Sequence, residues 1–231
     1  MHPKIAVETP IRNLDLGCRY SDYLFVLAHL WTNDKYRKTI LKWGRRKKIY
    51  LDNSAFELQR SIDFDPYFDI ITELRPHVIV VPDVVGDLRA SVDLACRFFE
   101  QAPGHLFSRH KFMVVLQGQN NRERLRCLHI YKSMGLPFHI IGLPRHAYPH
   151  RVELLLAIYR SQKNSQIHFL GLPDIKELRG VSALIDSLDT SWPSRMALGK
   201  SSIDFFGDNI ENPLAFKRSL SQLRRITMES E

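Results

Sequence analysis

Six times along the chain a short apolar run stops at a polar or glycine-bearing tripeptide: KIYLDNSAF, HVIVVPDVV, FMVVLQGQ, FHIIGLPR, IHFLGLPD and ALIDSLDTS. Such runs, each followed by apolar residues at three-to-four spacing, read as parallel strands buried on both faces and joined by helical crossovers. Strands are predicted at Lys4–Val7, Tyr23–Leu27, Lys48–Leu51, Val78–Val81, Phe112–Leu116, His139–Ile141, Ile167–Leu170 and Ala183–Leu188. Helices are predicted at Leu88–Gln101, Asn121–Met134 and Arg151–Ser161, and a basic helix ends the chain. Eight strands with crossovers in 231 residues predict one domain, an α/β chain folded as a (β/α)8 barrel of the TIM type over residues 1–231. A doubly wound sheet is the competitor, but no strand is followed by G-x-G-x-x-G or a Walker-type loop.

In parallel barrels the chemistry sits at the carboxyl ends of the strands. Asp52, Asp83, Gln117 and Asp189 fall there. Asp52 precedes the small residues Asn53, Ser54 and Ala55, which would let a planar ligand approach the backbone, and Phe56 could stack on it. Pro82 fixes the backbone before Asp83. Gln117, with Gly118 behind it, offers an amide donor and acceptor suited to a heterocycle edge. Three carboxylates on one rim divide into a nucleophile, a general acid or base, and an acceptor for substrate. Each aspartate could instead cap the next helix. His77, His139 and His168 fall at or within strand starts, away from the site end, and read as structural. Asp186 and Asp189 are three apart, a spacing that points them to opposite faces of an extended chain, so one faces the site and the other the rim or a helix. Neither Ser54 nor Ser194 lies in G-x-S-x-G, so a hydrolase elbow is not supported.

The formal charge is +8, and the basic excess is patchy. Lys42, Arg45, Arg46 and Lys47 belong to a run from Lys35 to Lys48, and smaller groups surround Arg124 and Arg224. Such density can neutralise a phosphate backbone or simply form a solvated helix face. Cys18, Cys96 and Cys127 are odd in number and far apart, so neither a disulfide framework nor a zinc site is expected, and no His pair has metal-site spacing. No run approaches a membrane span and the start lacks a secretory pattern; a soluble, cytoplasmic protein is expected.

In order, these motifs resemble those of the tRNA-guanine transglycosylase superfamily, and most closely its DNA branch, the DpdA-type enzymes of phages and bacteria. LDNSAFE is similar to D-S-G-G-F-Q, LQGQ to V-Q-G-G, IIGLPR to G-G-L-A, HFLGLPDIKEL to Y-L-M-G-V-G-x-P-x-x-L, and LIDSLDTSWPSR to G-I-D-M-F-D-C-V-x-P-T-R. The resemblance spans residues 48–195. It implies exchange of guanine in DNA for a 7-deazaguanine such as 7-cyano-7-deazaguanine, with Asp189 as nucleophile and Asp52 as acid/base. Asp83, Gln117, Gly118 and the backbone at Gly142 and Leu143 would read the base, Phe56 would stack on it, and Ser54, Leu170 and Gly171 would complete the pocket. Trp192, Arg195 and the Lys42–Lys47 cations would meet nucleic acid, no cofactor or metal is implied, and a homodimer is the assembly to test. In a phage-infected or bacterial cytoplasm such bases would shield DNA from restriction nucleases. Two departures stand out: no Cys or His follows His168, so the superfamily's zinc subdomain is missing, and Asn53-Ser54-Ala55 replaces Ser-Gly-Gly. The competing functions are the same exchange on tRNA, a non-catalytic nucleic-acid-binding partner subunit, and a glycosidase that releases the base to water.

Overall fold

The computed structural model describes residues 2–162 and 164–228. Along the chain lie β1 (Lys4–Val7), α1 (Leu14–Tyr20), β2 (Leu24–Leu27), α2 (Asp34–Gly44), β3 (Ile49–Asp52), α3 (Ala55–Leu58), α4 (Phe64–Leu74), β4 (Val78–Val80) and α5 (Leu88–Gln101). They are followed by α6 (Leu106–Arg109), β5 (Lys111–Val115), α7 (Asn121–Ser133), β6 (Ile140–Leu143), α8 (Arg151–Ser161), β7 (Gln166–Phe169), β8 (Ser187–Thr190), α9 (Trp192–Leu198) and α10 (Pro213–Met228). All strand pairs are parallel, in the order β1-β8-β7-β6-β5-β4-β3-β2. The sheet curls into a nearly closed (β/α)8 barrel. At the seam between β1 and β2, side chains substitute for a ladder: Ser21 Oγ accepts from the Val7 amide at 2.8 Å and Asp22 Oδ2 from the Ile5 amide at 2.9 Å, while the Asp22 amide donates to Ile5 O.

Two apolar layers follow from the alternation of strand side chains. Outward residues such as Val26, Leu51, Ile79, Val114, Ile141 and Leu188 pack against the helices, and Val78, Val80, Met113, Val115 and Ile140 form a separate cluster with Tyr50 and Leu170. α2, α5 and α7 start where Asn33, Asp87 and Asn120 accept the amides of Tyr36, Ala90 and Glu123. Capping is therefore done downstream of Asp83 and Gln117, which leaves both free to face the barrel mouth.

Seven predicted strands match within two residues; the eighth does not. Ala183–Leu188 was expected, but Ser182–Leu184 forms a 3-10 turn and the strand runs from Ser187 to Thr190. β8 lines a polar cavity, so its inward positions carry Ser187 and Asp189, and the apolar run marks the turn before it. Between β7 and β8 only the 3-10 turns Ile175–Leu178 and Ser182–Leu184 occur; α10 packs along α9 and these turns, with Ser182 Oγ donating to Thr227 O at 3.0 Å. Among the described residues no helix is long and apolar enough to cross a membrane.

Candidate active site

The strand ends converge on a cavity of about 110 Å³ at the carboxyl end of the barrel, lined by Asp52, Asp83, Gln117, Leu170, Gly171 and Asp189 together with Glu8, Phe56, Glu57, Arg145 and His146. Asp52, Asp83, Gln117 and Asp189 are all buried.

Asp189 is the most firmly held. Its Oδ1 accepts from His168 Nε2 at 3.0 Å, and the Gly171 amide lies 3.1 and 3.0 Å from the two carboxylate oxygens. His168 is fully buried, two residues before Leu170 on the same inward face, with Nδ1 2.9 Å from Ser187 Oγ and its ring stacked on Phe25 at 5.4 Å and 10°. The expectation that His168 is remote from the site is thus corrected: β7 is four residues long, so its interior lies one layer below the pocket. His77 and His139 do serve the strand starts, taking the amides of Ile49 and Phe112.

On the opposite wall, Asp83 Oδ1 accepts from Asn53 Nδ2 at 2.8 Å and Oδ2 from Gln117 Nε2. Gln117 Oε1 accepts from the Gly86 amide at 2.8 Å. Gln117 thus orients Asp83 as well as lining the cavity. Burial raises Asp83 to about 6, opposed by its bonds to Gln117 and Asn53. Asp52, whose Oδ2 accepts from the Ser54 amide at 2.7 Å, lies well above the usual carboxylate range because of burial and the neighbouring charge of Glu57, with smaller contributions from Asp189 and Asp83.

Glu8, Glu57, Arg145 and His146 were not foreseen as site residues. Glu8 follows β1 at the next inward position and is pushed up by burial, then by Asp189, Glu57 and Asp52, with Arg145 opposing. Glu57, on α3, is raised by desolvation and by Asp189, again against Arg145. Burial, Arg124 and Arg151 depress His146 to about 4, which keeps its imidazole neutral. The Glu8 position two residues past Ala6 was the one readable signal; Arg145 enters through the turn after β6, whose aim is not written in sequence spacing.

Several expected contacts are not made. Ser54 lies behind the wall, fully buried at φ 59°, its hydroxyl accepting from the His29 amide. Gly118 packs on α7, where a Cβ would stand 2.6 Å from Glu123 Cβ. Gly142 lies in the ladder, its carbonyl taken by the Leu116 amide and its Cβ space filled by Leu170. Leu143 O is taken by the Leu170 amide and Arg151, so this backbone does not line the cavity. Trp192 is buried in the core, and Arg195 is buried too, its Nη atoms donating to the carbonyls of Leu172, Pro173 and Ser201, so neither presents itself to a polyanion. Lys42 pairs with Asp15, and Lys47 holds the carbonyls of Arg19 and Ser21 just before β2. The end of α2 with Arg45 and Arg46 therefore lies at the amino end of the barrel, opposite the cavity. Phe56 does sit at the mouth, half exposed. Asp186 is exposed at the far end, accepting from the Ile167 amide.

Among the described residues no three His, Cys, Asp or Glu side chains are grouped to hold a metal ion. The chemistry available is that of one carboxylate fixed by N–H donors, a second carboxyl raised by its surroundings, and an acceptor group braced by two amides. No family model matches the sequence, and no curated protein matches it. Among solved structures the chain is similar to that of CdNal from Clostridium difficile in complex with mannosamine, with a TM-score of 0.48 and 12% identity over 99% of this chain and 80% of that one.

Proposed function

We propose that this protein exchanges guanine in DNA for a 7-deazaguanine base through a covalent aspartyl-sugar intermediate. The observation that carries the reading is the pairing of two unlike carboxyls in one cavity. Two N–H groups, His168 Nε2 and the Gly171 amide, face Asp189 and suit an anion, whereas Asp52 is pushed toward its protonated form.

In the first half-reaction an Asp189 oxygen attacks C1′ as the bond from C1′ to guanine N9 breaks, and Asp52 gives its proton to the departing purine. In the second, the Asp52 carboxylate takes the N9 proton of the incoming base while N9 attacks C1′ and releases Asp189. The cycle returns both groups to their starting forms and consumes no water. Asp83 accepts from the N–H edge of either base, braced by Asn53 and Gln117, and Phe56 covers the ring at the mouth. The target nucleotide must leave the helix stack to enter, at a cost of a few kcal/mol.

The reading is tested by incubating the protein with guanine-containing DNA, and separately with a tRNA, in the presence of 7-cyano-7-deazaguanine. Nucleosides are then analysed by mass spectrometry, with Asp189→Ala alongside. A modified deoxynucleoside that disappears in the variant is the expected result. Modification of tRNA alone would transfer the activity to RNA; loss of guanine with no incorporation would indicate hydrolysis, and no reaction would favour a binding subunit.

A further inference from the structure

A second feature of the molecule lies at the amino end of the barrel. Between α4 and α6 a groove of about 260 Å³ is lined by Arg75, His77, His105, Arg109 and His110, over an apolar floor that includes Ile71 and Leu106, with no carboxylate among its lining residues. Arg75 ends α4 at φ 51°, a left-handed position that ordinarily selects glycine. One cation at each helix end would satisfy the carbonyls there. The face carries more than that. Lys48 and Lys111, both exposed, flank His77: the amide of Ile49, next to Lys48, donates to His77 Nδ1, and the amide of Lys111 donates to His77 O. Burial lowers His77, and the charges of Lys48 and His110 lower it further, which places these three groups within electrostatic reach. Arg45 and Arg46 are exposed on the adjoining loop before β3. None of Lys48, Arg45, Arg46, Arg75 and Arg109 has an acidic partner among the described residues.

We propose that this groove and its flanking cations are a docking surface for the phosphodiester backbone of a nucleic acid, separate from the carboxylate pocket. The groove offers the two guanidinium forks of Arg75 and Arg109, with His77, whose Nδ1 accepts from the Ile49 amide and so leaves Nε2–H to donate; His110 is already bonded through Nδ1 to Pro76 O, and the set suits phosphate oxygens with nothing to read a base edge. Because the pocket opens at the other end of the barrel, a bound segment here is not the one presented to it. The surface holds a flanking stretch of a long polymer, or a second strand, and raises the local concentration of target nucleotides near the molecule.

The inference concerns binding and does not depend on the reaction in the pocket. Its test is fluorescence anisotropy of a labelled DNA duplex several helical turns long, titrated with wild-type protein between about 50 and 200 mM salt. Arg75→Glu/Arg109→Glu is compared with Arg122→Glu/Arg126→Glu, which makes the same charge change on exposed positions of α7. The groove variant is expected to bind at least ~10-fold more weakly and to lose about 2 from the slope of log affinity against log salt, while the α7 variant keeps the wild-type slope. Equal losses in both variants would reduce the effect to net charge, and an unchanged groove variant would remove the site; either overturns the proposal. Circular dichroism checks folding, and Arg75→Gln/Arg109→Gln repeats the comparison if charge reversal unfolds the chain. Inorganic phosphate separates the sources: displacement of duplex only at concentrations where its ionic strength accounts for the effect supports the backbone. Displacement at micromolar phosphate would assign the groove to a free phosphate compound instead. Full duplex affinity in a protein that incorporates no base would defeat the exchange reading and leave this surface standing.

Discussion

At the scale of single residues the site is organised around what holds Asp189. In the proposed exchange Asp189 attacks one carbon atom and so needs one orientation, and His168 Nε2 and the Gly171 amide hold it from two sides. The proposed attack uses Asp189 as a carboxylate, which only accepts, and this role requires the proton on His168 Nε2. Replacing His168 by Leu removes that donor and is expected to lower kcat about 10- to 100-fold while KM changes little, since a hydrogen bond to a charged group is worth roughly 1.5–3 kcal/mol. His168→Gln, whose amide reaches a similar point, should recover most of the loss; steady-state kinetics of the two variants decide it. Equal damage from both would make the residue a packing element. Asp83 gives a pH prediction. Its folded value of about 6 lies above the ordinary carboxylate value, so between about pH 4 and 6 the native state keeps a proton that the unfolded chain has lost. Stability from this group is therefore present at low pH and falls as pH rises through that window, by up to roughly 3 kcal/mol. Urea unfolding of wild type and Asp83→Asn at pH 4.5 and 7 should show the decline in the former and a flatter response in the latter.

At the scale of elements, the loop after β7 is the part that must not move, and a buried ion pair secures it. Arg151, the first residue of α8, makes two bonds to Glu177, at 2.8 and 2.6 Å, and its Nη1 donates to Leu170 O and Gly171 O at 2.8 and 2.9 Å. Its guanidinium also lies 4.2 Å from the Phe169 ring centroid. Both charges are removed from water, so losing one partner strands the other. Glu177→Ala is expected to destabilise the protein by about 3–5 kcal/mol in chemical denaturation. What remains folded should turn over more slowly, because the Gly171 amide shifts with the loop. The sequence showed Arg151 only as a helix start; that it closes a site 20 residues on depends on the return of the chain, which no local pattern encodes. Strand alternation, by contrast, is local. It made Asp52, Asp83, Gln117 and Asp189 legible, because period-two spacing at a strand end decides which side chains face inward. The same rule places His168 and Glu8 once strand length enters: in four-residue strands no position is far from the end. Trp192 and Arg195 went astray because α9 turns them inward, an orientation set by its packing against α10.

At the scale of the whole molecule the charge is divided by the barrel. Glu8, Asp52, Glu57, Asp83 and Asp189 surround the pocket, with Arg145 and a neutral His146 as the basic groups among its lining residues. Arg45, Arg46, Lys48, Arg75 and Arg109, which have no acidic partner among the described residues, lie at the other end. Five carboxyl groups, four of them pushed toward the neutral form, leave Arg145 as the one cation among the lining residues, so the mouth concentrates no positive charge and in the proposed exchange the reaction of a short single-stranded oligonucleotide should not depend on attraction to the pocket. For such a substrate kcat/KM is expected to change less than about threefold between 50 and 200 mM salt. A long duplex engages the opposite face as well, and neutralising two or three phosphates there predicts a loss of about 10- to 40-fold in affinity over the same range. Parallel titrations of the two substrates separate the ends of the molecule without any substitution. A steep salt dependence for the short oligonucleotide would mean that cations near the mouth, Arg145 foremost, govern entry to the pocket, and the division of labour between the two faces would then fail.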